Sequence, residues 1–246
     1  MIPFRASRHQ PGDRIEVAGC TVLLRVNKRA RRISLRLDST RGEMVATAPS
    51  ARRLHEAAAF AAERSSWMAE LLGKLPDRQP LHPGRTIEIL GRPCRLERAE
   101  GKRSLGVVET GDQLRLVCAG DDDAFARAAA RALKVYALKV LAERTVAHAA
   151  AYGVAAPEVR IMDARSRWGS CTPGRKGAPG RIRYSWRLVF APWSVMNYVA
   201  VHEAAHLIHA DHSPRFWAEV RKLVPDEKTP RAWLRAHGAQ LHAIGR

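Results

Sequence analysis

Apolar and polar positions alternate through most of the first half of the chain. In residues 32–37, Ile33, Leu35 and Leu37 alternate with Arg32, Ser34 and Arg36, the period-two pattern of a half-buried strand. Residues 21–26 and 43–48 have the same β composition, and further strand signals fall at 86–91, 94–99, 105–110 and 113–118, separated by glycine-containing turns. Between the two groups, after Pro49 and Ser50, the pattern predicts an amphipathic helix over 52–75.

The second half changes period. A long helix enters at the acidic run 121–123, whose charges suit the positive end of a helix dipole, and continues to about Ala151. Strands are predicted at 158–163 and 181–189, with a loop between them and three helices after. Pro192, Pro214 and Pro230 stand where first-turn prolines are expected, with Ser213 and Thr229 as N-caps before the latter two. No internal repeat or low-complexity tract is visible. The pattern predicts an α+β fold: a strand-rich hairpin module with a helix over 1–120, then a compact domain of helices and a small sheet over 121–246.

Length and composition narrow the class. A chain of 246 residues can bury a sizeable core as one large domain or two small ones. No stretch reaches the roughly 18 to 20 uninterrupted apolar residues of a membrane span, and residues 1–14 lack the apolar core of a signal peptide. A cytoplasmic protein without membrane contact is expected. Cys20, Cys94, Cys118 and Cys171 are dispersed and form no CxxC pair, so they read as buried free thiols rather than a disulfide framework or a thiolate zinc knuckle. The formal charge of +18 is spread along the chain, with modest clusters at 27–32 and 165–177. With no helix-turn-helix and no aromatic-interleaved RNA signature, it suits nonspecific polyanion contact, nucleic acid and nucleotides included, rather than sequence-specific binding.

The sharpest chemical signal is VHEAAHLIHADHSPRFW, residues 201–217. The apolar-rich segment from Pro192 to about Ala210 reads as a helix. His202 and His206 then share a face about 6 Å apart along the axis and can converge on one ion. Glu203 emerges one residue round, placed to take a proton from water at that ion: two imidazoles and a carboxylate base, the content of HExxH. A catalytic zinc site needs a third protein ligand. His209 lies on the same face, but its Cα sits about 10 Å along the axis from that of His202, which forces two near-collinear bonds. His212, just before the Ser213-Pro214 helix start, lies where the chain can turn back. The assignment is therefore zinc on His202, His206 and His212, with Glu203 catalytic and His209 behind the ligands or on the surface. An all-imidazole set with a glutamate base favours zinc.

Around this core, SRWGSC (166–171) reads as a packed β-turn with Gly169 at its tight point and Trp168 as an anchor. Arg167 and Ser170 are candidate cleft residues. Tyr198, four residues before His202, is either a packed tyrosine or a hydrogen-bond donor to a developing oxyanion.

The stretches RARRISLRL, LGRPCRL, RWGSC, SWRLVFAPWSVMNYVAVHEAAHL and DHSPRFWAEV, in this order, resemble the YgjP-like family of HExxH zinc metallopeptidases, relatives of the SprT-like proteases. The departures are mild: Ala204-Ala205 for Leu-Ala, Asp211 for Asn, Tyr184-Ser185 for the usual Asn before Trp186, and Asn197 for Asp. The resemblance implies a zincin-like metallopeptidase domain over 121–246 and the histidine before Ser-Pro, His212, as third zinc ligand. It implies an intracellular metallopeptidase that hydrolyses peptide bonds; residues 1–120 show no catalytic spacing of their own, and substrate selection is the task expected of them. Two alternatives come with it: a nucleoside-triphosphate (UTP) pyrophosphatase at the same metal site, and a DNA-associated SprT-like protease or adaptor. If the strand at 181–189 is a sheet edge beside the cleft, a peptide substrate can pair with it.

Overall fold

A computed structural model describes residues 9–38, 41–164, 167–175 and 178–245. Residues 165 and 166, part of the SRWGSC block, lie outside the described residues. The fold is α+β. The chain forms two compact units, 1–77 and 78–246, so that the second group of hairpin strands belongs with the histidine cluster. The sequence pattern had placed a boundary at residue 120.

The first unit is a four-stranded sheet in the order β1-β2-β4-β3, formed by β1 (Arg14–Val17), β2 (Cys20–Val26), β3 (Ser34–Asp38) and β4 (Glu43–Ala48). The β2/β4 pairing is parallel and both flanking pairings are antiparallel. The helix expected over 52–75 is broken near Arg64 into α1 (Leu54–Glu63) and α2 (Ser65–Gly73). Leu54, Ala57, Ala61 and Met68 close the core over Val22, Leu24 and Met44.

The second unit begins with a sheet of the same design. Strands β5 (Thr86–Ile89), β6 (Arg92–Arg98), β7 (Gly106–Thr110) and β8 (Gln113–Cys118) run β5-β6-β8-β7, again with a parallel central pair and antiparallel flanks. Both first hairpins turn on a non-glycine residue of positive φ followed by glycine: Ala18 (49°) and Gly19 (77°), then Leu90 (54°) and Gly91 (79°). Positive φ at both central positions is the two-residue turn that matches strand twist. The IEVAG of 15–19 and IEILG of 87–91 are therefore the same device used twice. The topology is repeated although the hydropathy pattern showed no repeat, because most other side chains differ between the two copies.

Helix α3 (Asp122–Ala151) follows, capped by Asp121, whose Oδ1 accepts from the Ala124 N–H at 2.8 Å. Its buried positions, Phe125, Ala128, Ala129, Leu133, Ala137, Leu141, Thr145 and Ala149, recur mostly every fourth residue and form one stripe. That stripe packs on β7 and β8 at one end and on β9 (Glu158–Met162) and α4 (Trp193–Ala205) further along.

A three-stranded sheet in the order β10-β11-β9 holds β11 (Arg181–Ser185) between β9 and β10 (Gly169–Thr172). Two expectations change here. The run 181–189 is a strand only to Ser185; Trp186–Phe190 is a buried 3-10 turn. The remaining strand is central rather than an edge, because Gly169–Thr172, which overlaps the block 166–171 read as a β-turn, pairs along its other side.

Helices α5 (Pro214–Leu223) and α6 (Lys228–Ala243) complete the unit. Ser213 caps α5 as expected, accepting from the Phe216 N–H. Thr229 does not cap α6. The helix starts two residues earlier than that cap implies, at Lys228, and Asp226 accepts from the Thr229 N–H. Pro192 is the residue just before α4 rather than its first. Among the described residues, no helix is long and apolar enough to cross a membrane.

Candidate metal centre and its cleft

Helix α4 is buried on nearly every side: Val195, Met196, Tyr198, Val199, Ala200, Val201, Ala204 and Ala205 are all inaccessible. A helix apolar all round belongs inside a fold, and α3, α5, α6 and β10 pack against this one. In its second half the polar exceptions are therefore conspicuous, namely His202 and the buried Glu203, with His206 as the cap residue.

The helix stops at Ala205 rather than near Ala210. Leu207 N–H donates to Ala204 O and His209 N–H to Ala205 O, tightening the last turn, and His206 Nδ1 donates to the His209 carbonyl at 2.9 Å. That bond pins the reversal and leaves His206 Nε2 free. The chain then returns, and His212 Nε2 comes within 3.1 Å of His202 Nε2. His202, His206 and His212 each offer a ligand atom, all within 4.8 Å of one another.

The shortest of these distances fits a metal. Two nitrogens bound at about 2.05 Å with a tetrahedral angle lie about 3.3 Å apart, close to the 3.1 Å found. Burial, reinforced by the neighbouring imidazoles and Arg231, holds the His202 pKa down to about 3, so its ring is neutral at physiological pH. Burial also lowers that of His206. Neutral imidazoles are the form that ligates. His209 contributes its carbonyl to orienting His206.

Sequence reasoning missed the platform under the triad. Phe216, fully buried on α5, lies 4.9, 4.5 and 4.9 Å, centroid to centroid, from the rings of His202, His206 and His212. Trp217 stacks on His212 at 5.9 Å. The signal was present in SPRFW: a capped helix start places its first aromatics back toward the preceding histidine.

Glu203 is 6% exposed. Burial raises its carboxyl to a pKa of about 7, against a smaller opposing pull from the Arg167 charge. The reason for its room is Gly169. A Cβ there would stand 2.3 Å from Glu203 Oε1 and 2.5 Å from its Cγ. Gly169 is thus not the tight point of a turn. It is a strand residue whose missing side chain makes space for the carboxylate.

Strand β10 lies along this cleft. Gly169, Ser170, Cys171 and Pro173 line one recess of about 420 Å³ together with Glu203 and the three histidines. Burial, with the nearby Glu203 charge, pushes the Cys171 thiol up to about 12, an inert thiol. A second recess of about 370 Å³ meets the first at Gly169, His202 and Glu203, and is walled by Trp168, Tyr198, Val199, Arg231, Leu234 and Arg235. Trp168 is an anchor as expected, its ring stacked on His242 at 4.8 Å. Tyr198 is buried with its ring 5.9 Å from that of His202. Arg167 is exposed. The α6 side chains on this wall had no signal in the sequence beyond amphipathic spacing.

Three converging imidazoles with a buried carboxylate beside them form a group that could hold a metal ion next to an acid–base residue. A family model described as YgjP-like, metallopeptidase domain, matches residues 31–237, and the chain belongs to the YgjP-like family. Searches of curated proteins and of solved structures gave no significant match.

Proposed function

We propose that the chain is a zinc-dependent peptidase. The observation that carries this reading is the buried Glu203 carboxylate, one residue from His202, in a recess it shares with His206, His212 and the edge strand β10. His202, His206 and His212 would hold the ion through Nε2. Zinc bound there supplies Lewis acidity that acidifies water and polarises a carbonyl. Glu203 takes the proton of the attacking water on a carboxylate oxygen and returns it to the departing amine. A carboxyl poised near neutrality suits both transfers.

Strand β10 supplies the orientation. Ser185 N–H donates to Trp168 O, so residues 168 and 185 are a bonded pair across the ladder. Antiparallel alternation then turns the N–H and C=O of Gly169 and Cys171 toward the open edge. An extended peptide adding there lies across the recess that contains Glu203.

The test compares wild type with Glu203→Gln for metal content and for hydrolysis of casein, a peptide library and a nucleoside-triphosphate panel. About one zinc in both proteins, with peptide cleavage by wild type alone, supports the proposal. Cleavage that is indifferent to Glu203 overturns it, and hydrolysis confined to nucleotides turns the same site into a pyrophosphatase.

A further inference from the structure

The second recess contains a built set of hydrogen-bond donors. Arg231 and Arg235 stand four residues apart on α6, which puts both on one helix face about 6 Å apart, and both line the recess. Neither has a carboxylate partner among the described residues. Arg231 lies over the Trp217 ring at 5.1 Å, and the acids nearest in sequence are engaged elsewhere. Glu227 accepts from Arg221, and Asp226 accepts from the Thr229 N–H. Tyr198 lines the same space, close enough for the charges of Arg231, Glu227, Glu203 and Arg235 all to act on it, and its hydroxyl has no hydrogen-bond partner among the described residues. The remaining walls, Trp168, Val199 and Leu234, are apolar.

Two unpaired guanidiniums and a free hydroxyl over an apolar floor, with Glu203 at the inner end, match one shape of ligand. It has an apolar stem and a terminal anion, and its main chain lies at the metal site. Guanidinium forks bind carboxylates in two-point fashion, and the floor rewards methylenes before the charge. Resting on the peptidase reading, we propose that this recess is a specificity subsite for an acidic side chain, glutamate above aspartate, next to the scissile bond, with Arg231 and Arg235 as its determinants. The recess joins the metal recess at His202 and Glu203, so its occupant is adjacent to the bond that is cut.

The experiment uses the full chain loaded with zinc. In the Glu203→Gln background, fluorescence anisotropy compares two labelled decapeptides that differ only in carrying Glu or Gln at one position. In parallel, mass spectrometry reads cleavage positions in a mixed peptide library for the active protein. The expected result is at least tenfold tighter binding of the Glu peptide and acidic residues enriched at one position beside the cut. Arg231→Ala/Arg235→Ala should erase the preference with metal content and melting temperature unchanged. Arg235→Glu should shift preference toward Lys, a gain that a misfolded protein does not show. Equal binding of the two peptides, or a preference that survives the double variant, overturns the proposal even where peptides are cleaved. A glutamate preference without cleavage removes the peptidase reading and with it the scissile bond, leaving Arg231 and Arg235 as a binding site for an acidic side chain only. Tighter binding of UTP than of either peptide, lost in the double variant, assigns the guanidiniums to a phosphate and overturns the acidic-residue subsite.

Discussion

Replacing Gly169 by alanine tests whether the edge strand holds the carboxylate in register. The added Cβ would lie 2.3 Å from Glu203 Oε1, 2.5 Å from Cγ and 2.6 Å from Cδ. Ordinary contact between such atoms is about 3.5 Å, so strand and carboxylate must separate by about 1 Å. Helix α4 is enclosed on nearly all sides and cannot retreat. The relief comes from β10, an edge strand, and from rotation of Glu203. Forcing a methyl into a packed site costs about 1–3 kcal/mol, or a fall in melting temperature of about 2–12 °C at this size. Displacing a reacting group by about 1 Å costs on the order of 100-fold in rate. All three nearest atoms belong to Glu203 and none to an imidazole, so zinc content should stay at the wild-type value. The assay measures zinc, melting temperature and turnover of whichever substrate wild type hydrolyses best, with Thr172→Ala on the exposed end of the strand as control. Turnover within about threefold of wild type would refute the reasoning. Loss of zinc together with turnover would show that Gly169 supports the ligands rather than the carboxylate.

Three further outcomes follow from the same geometry. Truncating His212 to Ala should abolish stoichiometric zinc at micromolar metal, whereas His209→Ala should retain it, because His209 acts through its backbone carbonyl; equilibrium dialysis distinguishes the two. Chelation should lower the melting temperature of wild type, and zinc at about 100 times its dissociation constant should restore about 2.7 kcal/mol, an effect absent from His212→Ala. In metal-free protein, the Glu203 carboxyl titrates at about 7 against an ordinary 4.5, so folding disfavours its charge. The penalty is absent below the unfolded value, grows as pH rises from 4.5 to 7 and is constant above, reaching about 3 kcal/mol. Chelated Glu203→Gln should therefore be more stable than chelated wild type at pH 8 and nearly equal to it at pH 4, as read by urea denaturation; a difference independent of pH would contradict the burial cause.

The sequence by itself determined what is local. Alternation in 32–37, the capped start at Ser213 and the long stripe of α3 are set by neighbours within a turn or a strand, and spacing reveals them. The convergence of His202 and His206 follows from helix pitch, and the need for a returning ligand follows from the collinearity a third helical histidine would impose. Pairing partners, by contrast, are chosen across long stretches of chain. Only the tertiary structure decided that β11 is central and β10 the edge, because β11 pairs with β9 on one side and β10 on the other, partners that lie far from one another in sequence. It decided that Gly169 makes room for a carboxylate 34 residues away in sequence, a requirement that a glycine in a loop-like run does not announce. It also brought Phe216 beneath the three imidazoles and Arg231 and Arg235 to the cleft wall. Hydropathy spacing shows which face of a helix turns inward, but which neighbour that face meets is set by packing of the whole unit.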